Sequence, residues 1–445
     1  MRKAQVWNRE HFGNILVKKK RLLARLLGIQ KALATSPNLF LVNLDKQLQG
    51  ELNKVLNNEE ELWAMKSRIN WMIQGDRNTS FYHVSTLIRR KHNKILSIKD
   101  GQGEWISEQP AVMAFIQNHF RNLFSSEMLF SSRQATFTHA EAPRLSISDV
   151  QTLFLPVLDD EIKNALWSLK PFKSPGPDGI HAGFYQRFWL LVKDSVTNEI
   201  KKVFRERKVP AYLNQTHIAL IPKIKGPETI GNYRPISLCN SVYKILSKII
   251  VTRIRPHLDK LVSPFQTAFV PGRKGIDNAI IAQEIIHTVG RKSGKVGNMV
   301  IKIDLEKAYD KLEWSFIRDV LHAANFPLEM IQLIMSCVSS STASILVNGG
   351  ALDPFLPSRG IRQGDPLSPY LFILCMEVLG RIIEEKCSQK VWTPLKASSS
   401  GPTFSHLFFV DDLLLFTRAN EENCGSVREA IEEFCSLSGQ RVTFF

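Results

Sequence analysis

The first part of the chain spaces its apolar residues as amphipathic helices do. Residues 1–35 carry an apolar position every three or four residues, with lysine and arginine on the other side. A second run repeats an apolar residue every seven positions, at Leu41, Leu48, Val55 and Leu62. Ser36-Pro37 separates the two runs, because proline cannot continue a helix. The pattern predicts two helices in an antiparallel hairpin; the alternative is an ordinary helical pair with a solvated charged side.

A basic segment with interleaved aromatic residues follows at 66–94. It contains the cations Lys66, Arg68, Arg77, Arg89, Arg90, Lys91 and Lys94, one acid, Asp76, and the rings of Trp71, Phe81, Tyr82 and His83. Rings beside cations are typical of single-stranded or A-form nucleic-acid binding, and the alternative is a solvated helix face with core aromatics. The string ILSIKDGQGEWI at 95–106 predicts a β-hairpin around Asp100-Gly101. Residues 125–150 lack periodicity and predict a linker, after which helical and strand patterns alternate.

Composition narrows the class of protein. The 445 residues contain 58 Lys and Arg against 42 Asp and Glu, a net charge of +16, and 44% are hydrophobic. This is the composition of a folded chain with a polyanionic partner, most simply nucleic acid. The apolar runs are too short to span a bilayer, and the basic N-terminus lacks an apolar signal region, so we expect a nuclear or cytoplasmic protein. The six scattered cysteines predict neither a disulfide framework nor a zinc site.

The most informative string is FSHLFFVDDLLLF at 404–416. Two apolar β-type runs flank Asp411-Asp412, which predicts a hairpin with both aspartates at its tip. Asp-Asp is a poor choice for turn geometry alone, and two adjacent carboxylates resist ionisation unless a cation neutralises them. The pattern points to a divalent metal site; the alternative is an exposed turn that happens to be acidic.

A second acidic position strengthens the metal hypothesis. NMVIKIDLEKAYD at 298–310 predicts a strand that ends in Asp304, then a turn into a helix. Asp304 could instead cap that helix, and we assign Asp310 a structural role. Asp304 and Asp411 on neighbouring strands would supply the hard oxygen ligands that Mg²⁺ prefers beside substrate phosphates. Two such ions support in-line phosphoryl displacement.

A glycine-rich string lies between the two acidic ones. In RGIRQGDPLSPYLF at 359–372, Gly360 and Gly364 mark backbone that turns or is approached closely. Asp365-Pro366 then predicts the cap and first position of a long apolar helix. Gln363 at this corner could touch a base pair or sugar; the alternative is a simple helix-entry loop.

Upstream, two predicted strands could form a flap over a phosphate chain. THIALIPKIK and GNYRPISLCN predict two strands joined by a loop with glycine and proline. A helix predicted over 241–258 has an apolar stripe that we assign to the core. It contains Val242, Ile245, Ile249 and Ile254.

Taken in order, IKIDLEKAYD, RGIRQGDPLSPYLF and FFVDD resemble the palm motifs of reverse transcriptases. More narrowly, the sequence is similar to the LINE-type, non-long-terminal-repeat retrotransposon polymerases of plants. KSPGPDGI at 173–180, the segment 221–250 and SPFQTAFVPGR at 263–273 match that family upstream of the palm, and 66–83 is similar to the segment before the polymerase. The resemblance covers most of the chain.

The resemblance implies a set of metal ligands. By this resemblance Asp304 and Asp411 coordinate two catalytic Mg²⁺ ions, for which Mn²⁺ could substitute. Asp412 is the adjacent acid, and the backbone carbonyl of Leu305 is an extra ligand. Tyr309 takes the place of the aromatic that packs under the incoming sugar and rejects a 2′-hydroxyl; the alternative is a core aromatic.

The resemblance also implies contacts to the nucleotide. Gln363 and Gly364 would lie against the templating pair and the incoming nucleotide. Lys223 and Arg234 would bind the triphosphate in the fingers segment, because arginine offers a bidentate fork and lysine a point charge. Lys223 could instead be a solvated loop residue, and Lys225 competes for its role.

Two departures from the family qualify these expectations. Val410 stands where plant members more often have alanine. LSGQRVTFF at 437–445 resembles the start of the next palm motif, but the lysine of that motif does not follow. We therefore expect a copy truncated at both ends, without a thumb, an upstream endonuclease, a Cys/His knuckle or an RNase H segment.

The predicted fold is α+β: a right-hand polymerase with fingers and palm at 151–445 and no thumb. A helical, basic, nucleic-acid-binding extension precedes it at 1–124, with a linker at 125–150. The predicted function is an RNA-directed DNA polymerase that joins dNTPs to a DNA primer on an RNA template. The alternative is an inactive nucleic-acid-binding remnant, and Tyr309 disfavours an RNA-templated RNA polymerase.

Overall fold

A computed structural model describes residues 6, 13–67, 79–128, 143–291, 297–396, 398 and 401–442. The chain divides into two compact units, Met1–Ile95 and Leu96–Phe445. None of the helices in these ranges combines the length and the apolar composition needed to cross a membrane.

The first unit contains the predicted helical hairpin. Its helices are α1 (Ile15–Thr35), α2 (Leu39–Ser67) and α3 (Thr79–His92). The predicted stripe of α1 is buried at Leu22, Leu26 and Ile29, and it packs against the buried Leu48 of α2. Lys19 near the start of α1 pairs with Glu59 near the end of α2 at 2.7 Å. This confirms the antiparallel arrangement, since only such a pairing brings these two ends together.

The basic aromatic segment is described only in part. Arg68, Trp71, Asp76 and Arg77 lie outside the described residues. In α3, Tyr82 is buried. Arg89 donates to the carbonyl of Ser67 at 2.7 Å, so this cation has a structural role inside the unit. Nucleic-acid binding by the segment stays a prediction.

The second unit starts earlier than the predicted polymerase region. Its first elements are β1 (Ile98–Lys99) and β2 (Trp105–Ile106), which form the predicted hairpin, and the helix α4 (Gln109–Leu123). Gln117 of α4 donates to the carbonyl of Asp353 at 2.8 Å, and the ring of Phe124 stacks on that of Phe355. These contacts place residues 96–128 with the polymerase region, whereas the prediction assigned residues up to 124 to the extension. Of the predicted linker, 129–142 lies outside the described residues.

Two sheets organise the second unit. The first has the strand order β4-β3-β6-β7 and the second has the order β10-β11-β5. Their strands are β3 (Gln215–Pro222), β4 (Tyr233–Cys239), β5 (Asn298–Asp304), β6 (Thr342–Val347), β7 (Gly350–Ala351), β10 (His406–Phe409) and β11 (Asp412–Arg418), with β8 (Leu395–Lys396) and β9 (Thr403–Phe404) as a separate pair. Strands β3 and β4 are antiparallel, as the two-strand flap predicted.

Helices pack around both sheets and supply most of the core. The remaining helices are α5 (Ile147–Leu153), α6 (Asp159–Trp167), α7 (Ala182–Arg187), α8 (Trp189–Glu206), α9 (Ser241–Ile254), α10 (Leu258–Leu261), α11 (Gly275–Arg291), α12 (Ala308–Lys311), α13 (Trp314–Ala323), α14 (Leu328–Ser339), α15 (Ser368–Ser388) and α16 (Glu421–Ser438), with single 3₁₀ turns at Ile230–Asn232 and Arg255–His257. The predicted apolar stripe of α9 is buried throughout. The mixture of helix and sheet confirms the α+β class.

Candidate active site

Three aspartates meet at one end of the β10-β11-β5 sheet. Strand β5 ends at Asp304, as the sequence predicts, and Asp412 lies directly opposite it as the first residue of β11. Asp412 also pairs with Phe409 across the hairpin, so the two-residue tip is Val410-Asp411. The prediction of Asp411 and Asp412 together at the tip was therefore wrong by one residue, because Asp412 completes the ladder to β5.

Strand alternation puts the acids on the open side of the sheet. Asp304 and Lys302 of β5 are exposed, whereas Ile303 between them is buried. In β11, Asp412 is exposed and Leu413 is buried. Successive side chains of a strand point to opposite faces of the sheet. Ile303 and Leu413 therefore pack against the core, and the carboxylates beside them lie on the opposite face.

The acids repel one another. Burial raises the pKa of the half-buried Asp411, and the carboxylates of Asp412 and Asp304 raise it further, while Arg234 acts in the opposite direction. Like charges directly opposite in a ladder destabilise it. Asp412 has a cation of its own, because Lys302 Nζ lies 3.3 Å from its Oδ1, with both side chains largely exposed. Asp304 and Asp411 are thus the acids best placed to gain from an external cation.

The donor set fits a hard divalent cation that brings other ligands with it. In the described part of the chain, no three His, Cys, Asp or Glu side chains are close enough to hold a metal ion by themselves. Mg²⁺ usually takes one or two carboxylates and completes its shell with water and phosphate oxygens. The exposed Asp304 and the half-buried Asp411, whose carboxylates repel each other, match that requirement. Coordination by these residues stays a prediction.

Two further palm residues lie beside the acids. The half-buried Tyr309 stacks on Phe372 with ring centroids 4.8 Å apart and planes 9° apart. Burial raises the pKa of its phenol, and the Asp411 carboxylate contributes to the rise. Leu305 is buried and forms an isolated antiparallel bridge with Val442. Neither the sugar contact of Tyr309 nor the ligand role of the Leu305 carbonyl is tested by these contacts.

The glycine-rich loop connects the two sheets. The carbonyl of Gln363 accepts from the backbone N–H of Ser237 on β4 at 2.7 Å. Gly364 has a φ of +113°, and a Cβ there would lie 2.9 Å from the Ser237 carbonyl oxygen. Only glycine meets both demands, which explains the residue in the motif. Ile361 N–H also donates to the Tyr309 carbonyl at 2.8 Å, so the loop is fixed to the palm as well.

The predicted phosphate cations come from the flap. Arg234 lies on β4 and is exposed, and its charge lowers the pKa of Asp411. Lys223 follows β3, and its N–H donates to the Asn232 carbonyl at 2.8 Å. Its charge acts on Asp310 and Lys307 instead. The charge of Arg234 therefore acts on Asp411 and that of Lys223 acts on Asp310, whereas Lys225 is an exposed loop residue.

Asp365 Oδ1 accepts from the backbone N–H of Leu367 at 3.1 Å, at the entry to the long apolar helix. Helix α15 starts at Ser368 with Leu367 at its N-cap, and its early proline is Pro369. The buried Asp365 also accepts from Tyr243 Oη at 2.6 Å and pairs with Arg362 at 3.1 Å. The predicted capping contact is therefore present, and the tertiary fold adds Tyr243 as a partner of the same carboxylate.

Sequence reasoning missed the role of Arg362. Its guanidinium donates to Asn214 Oδ1 at 2.6 Å and to the Cys337 carbonyl at 2.8 Å, and it lies 4.1 Å from the centre of the Tyr243 ring. These contacts fix Arg362, the residue before Gln363, to the start of the β3 sheet and to α14. The sequence signalled only an arginine three residues before Asp365 in the motif, because its other partners, Asn214 and Cys337, lie 148 and 25 residues away.

Asp310 has the structural setting that the sequence analysis assigned to it. It is almost completely buried in α12, and burial raises its pKa to about 7 although three lysines, Lys307, Lys223 and Lys311, oppose the shift. The Asp310 carbonyl would lie 2.6 Å from a Cβ at position 360, so Gly360 is needed for this close approach.

Comparison with known proteins agrees with this geometry. Residues 221–443, half of the chain, match the family described as reverse transcriptase (RNA-dependent DNA polymerase). The chain belongs to this family. Membership implies the fingers and palm of that fold.

Similar proteins come from mobile elements. The transposon TX1 uncharacterized 149 kDa protein of Xenopus laevis is 26% identical over 88% of this chain and 30% of its own length. The Pol polyprotein of the R2DM retrotransposable element of Drosophila melanogaster is 28% identical over 55% of this chain and 22% of its own length. An uncharacterized mitochondrial protein of Arabidopsis thaliana, AtMg01250, is 46% identical over 15% of this chain and 55% of its own length. The chain thus ranks with reverse transcriptases of non-long-terminal-repeat retrotransposons and spans less than a third of the first two relatives.

Proposed function

We propose that the chain carries the catalytic centre of an RNA-directed DNA polymerase. The reaction would join a dNTP to the 3′-hydroxyl of a DNA primer on an RNA template and release pyrophosphate. The observation that supports this best is the register that puts Asp412 opposite Asp304 with Asp411 beside them, on the open face of the palm sheet. The family match and the net charge of +16 support a nucleic-acid substrate.

Asp304 and Asp411 would hold the divalent ions, with the Leu305 carbonyl as a further ligand and Asp412 as a supporting acid. When bound, two Mg²⁺ ions would lower the pKa of the primer hydroxyl and stabilise the leaving oxygen. Arg234, whose charge reaches Asp411, would bind the triphosphate as a bidentate fork. Lys223 would add a point charge nearer Asp310.

The remaining residues would orient the nucleotide. Tyr309 is held by its stack on Phe372 and would meet the sugar at the 2′ position. Gln363 and Gly364 would lie against the templating base pair, because their backbone is fixed between Ser237 and the palm. Fixed orientation is a large part of catalysis in phosphoryl transfer, since the protein does little covalent chemistry.

We further propose that the chain derives from a plant LINE-type element and that its first unit binds nucleic acid. The plant origin rests on the motif strings and on the similar Arabidopsis protein. The binding role rests on the cations of 66–94 and on the basic face of α1. Localisation in the nucleus or the cytoplasm remains part of this proposal.

Primer extension tests the proposed function. The full chain is incubated with an RNA template, an annealed DNA primer, dNTPs and Mg²⁺, and products are separated by length. We expect extension that EDTA stops and that Asp411→Asn removes. RNA binding without extension, unchanged by Asp411→Asn, would contradict the polymerase and support a binding remnant, which the family match does not favour.

A further inference from the structure

The catalytic hairpin turns on a residue with strained backbone. Val410 has a φ of +60°, in the left-handed region. A β-branched residue is rarely found there, because its Cβ meets the following carbonyl. The other residue of the tip, Asp411, has no positive φ. A turn with positive φ only at its first central position strongly prefers glycine there, so this valine needs support from elsewhere in the fold.

The support comes from Gln266, more than a hundred residues away in the chain. Gln266 Oε1 accepts from the backbone N–H of Val410 at 3.2 Å and from that of Ala268 at 3.0 Å. The side chain is fully buried. Two N–H donors face the same end of the amide, so that end is the oxygen.

The buried amide is oriented for the turn at a cost. Gln266 Nε2 is buried and has no hydrogen-bond partner among the described residues. An unsatisfied buried donor destabilises a fold, so the orientation persists because the two bonds at Oε1 outweigh it. The Gln266 side chain therefore keeps this orientation because its oxygen accepts two backbone hydrogen bonds, although its nitrogen has no partner among the described residues.

The segment that carries Gln266 is itself rigidly attached. Arg273 donates to the carbonyls of Gln266 and Val262, both at 2.9 Å, and pairs with Asp259. Gln266 forms a parallel bridge with Phe408 of β10, and Phe408 N–H donates to the Phe265 carbonyl at 2.9 Å. Gln266 thus joins a fixed segment to both the strand and the tip of the hairpin.

We propose that Gln266 is a positioning residue, which holds the Val410-Asp411 turn in its strained conformation so that Asp411 faces Asp304. This role rests on the function proposed above for Asp411. It also gives the SPFQTAFVPGR string a physical task, which the motif alone did not reveal. Gln266 itself touches neither substrate nor metal.

The test combines Gln266→Met with Val410→Gly. Methionine keeps the volume and removes the acceptor, whereas glycine removes the penalty of positive φ. In Q266M we expect hydrogen exchange in the peptide spanning 405–416 to accelerate about tenfold and the Mg²⁺ concentration for half-maximal extension to rise about five- to tenfold. In Q266M/V410G we expect at least half of each change, on a logarithmic scale, to be reversed.

Asn278→Ala is the matched control. Asn278 donates to the carbonyls of Phe265 and Phe408 at 3.1 and 3.0 Å, so it braces the same strand without touching the turn. We expect this variant to lower the melting temperature, to leave the Mg²⁺ requirement unchanged and to gain nothing from Val410→Gly. A rescue of Asn278→Ala equal to that of Q266M would overturn the positioning role.

The outcomes separate Gln266 from the polymerase proposal. If the unmodified chain does not extend a primer, hydrogen exchange and melting still decide whether Gln266 holds the turn. If it extends and Q266M changes neither exchange nor the Mg²⁺ requirement, only the role of Gln266 is overturned. Should Q266M fail to fold, Q266M/V410G must fold; a double variant that also fails to fold would refute the role.

Discussion

Two polar clusters of the second unit contrast in how they treat charge. Asp304, Asp411 and Asp412 lie at the open end of a sheet, and their carboxylates raise the pKa of Asp411. Arg362 and Asp365 lie inside the protein, 3.1 Å apart, with side chains 11% and 4% exposed. The first cluster has an excess of one charge, whereas the second is balanced.

This difference in charge balance distinguishes a candidate functional site from a cluster that stabilises the fold. A buried charge is tolerated only where it is paired and hydrogen-bonded, and Arg362 meets that condition through Asn214, Cys337 and Tyr243. The acids at the sheet end are unbalanced, and under the proposed function they would gain from a cation that arrives with the substrate. A cluster that is complete holds the fold, and one that is incomplete without its ligand is the better candidate for chemistry.

The largest expected effect is on the open cluster. Asp304→Asn and Asp411→Asn should each lower primer extension by at least about 10²–10³-fold, because each would remove a charge that is proposed to bind metal. Circular dichroism should show an intact fold. Asp412→Asn serves as the comparison and should lose less than about tenfold, since its exposed carboxylate is paired with Lys302. Equal losses in all three variants would contradict the distinction between the acids.

Disruption of the Arg362–Asp365 cluster should lower the stability of the fold. Arg362→Met leaves the Asp365 carboxylate buried without its charge partner, which should lower the free energy of unfolding by about 3–5 kcal/mol. Urea unfolding measures the change. Arg428→Met is the matched control, because Arg428 pairs with Glu432 on the surface of α16 and its loss should not be measurable. A small effect of Arg362→Met would mean that the network is not a support.

Discrimination between ribonucleotides and deoxyribonucleotides tests the proposed role of Tyr309 beside the acidic cluster. Tyr309→Ala should relax discrimination against ribonucleotides by about 10–100-fold, because the ring that would exclude a 2′-hydroxyl is gone. Incorporation of rNTPs and dNTPs by single-turnover assay gives the ratio. Tyr309→Phe keeps the ring and its stack on Phe372 and should preserve selectivity. Unchanged selectivity in Tyr309→Ala would assign this ring to the core alone.

The smallest effect concerns pH and metal. The pKa of Asp411 is raised in the fold. Without metal, its contribution to the free energy of unfolding is therefore fully present at a pH below the ordinary carboxyl pKa. The contribution is lost as the pH rises through the raised pKa. In EDTA, Asp411→Asn should therefore melt about 1–3 °C higher than the unmodified chain at pH 7 and show no such advantage at pH 4. Added Mg²⁺ should reverse the order at pH 7. A melting difference independent of pH would exclude repulsion as the cause.

Local pattern was enough for several elements. The helical hairpin of the first unit, the strand ending at Asp304, the flap strands and the buried stripe of α9 all follow from apolar period, turn residues and proline breaks. Such features depend on neighbours in the chain, which sequence shows directly. The tip of the hairpin was misplaced by one residue, because the ladder between β5 and β11, and not the apolar runs, decides where the turn begins.

The sequence by itself determined the class of protein, the identity of the acids and the motifs that carry them, because these are properties of residue type, order and spacing. Only the tertiary structure decided that Asp412 faces Asp304, that Asp365 binds Tyr243, and that Gln266 supports Val410. These contacts join residues from distant parts of the chain, and a buried polar group takes whichever partner the packing brings to it. The partner of a buried polar group therefore depends on the whole folded chain and cannot be predicted from any one motif.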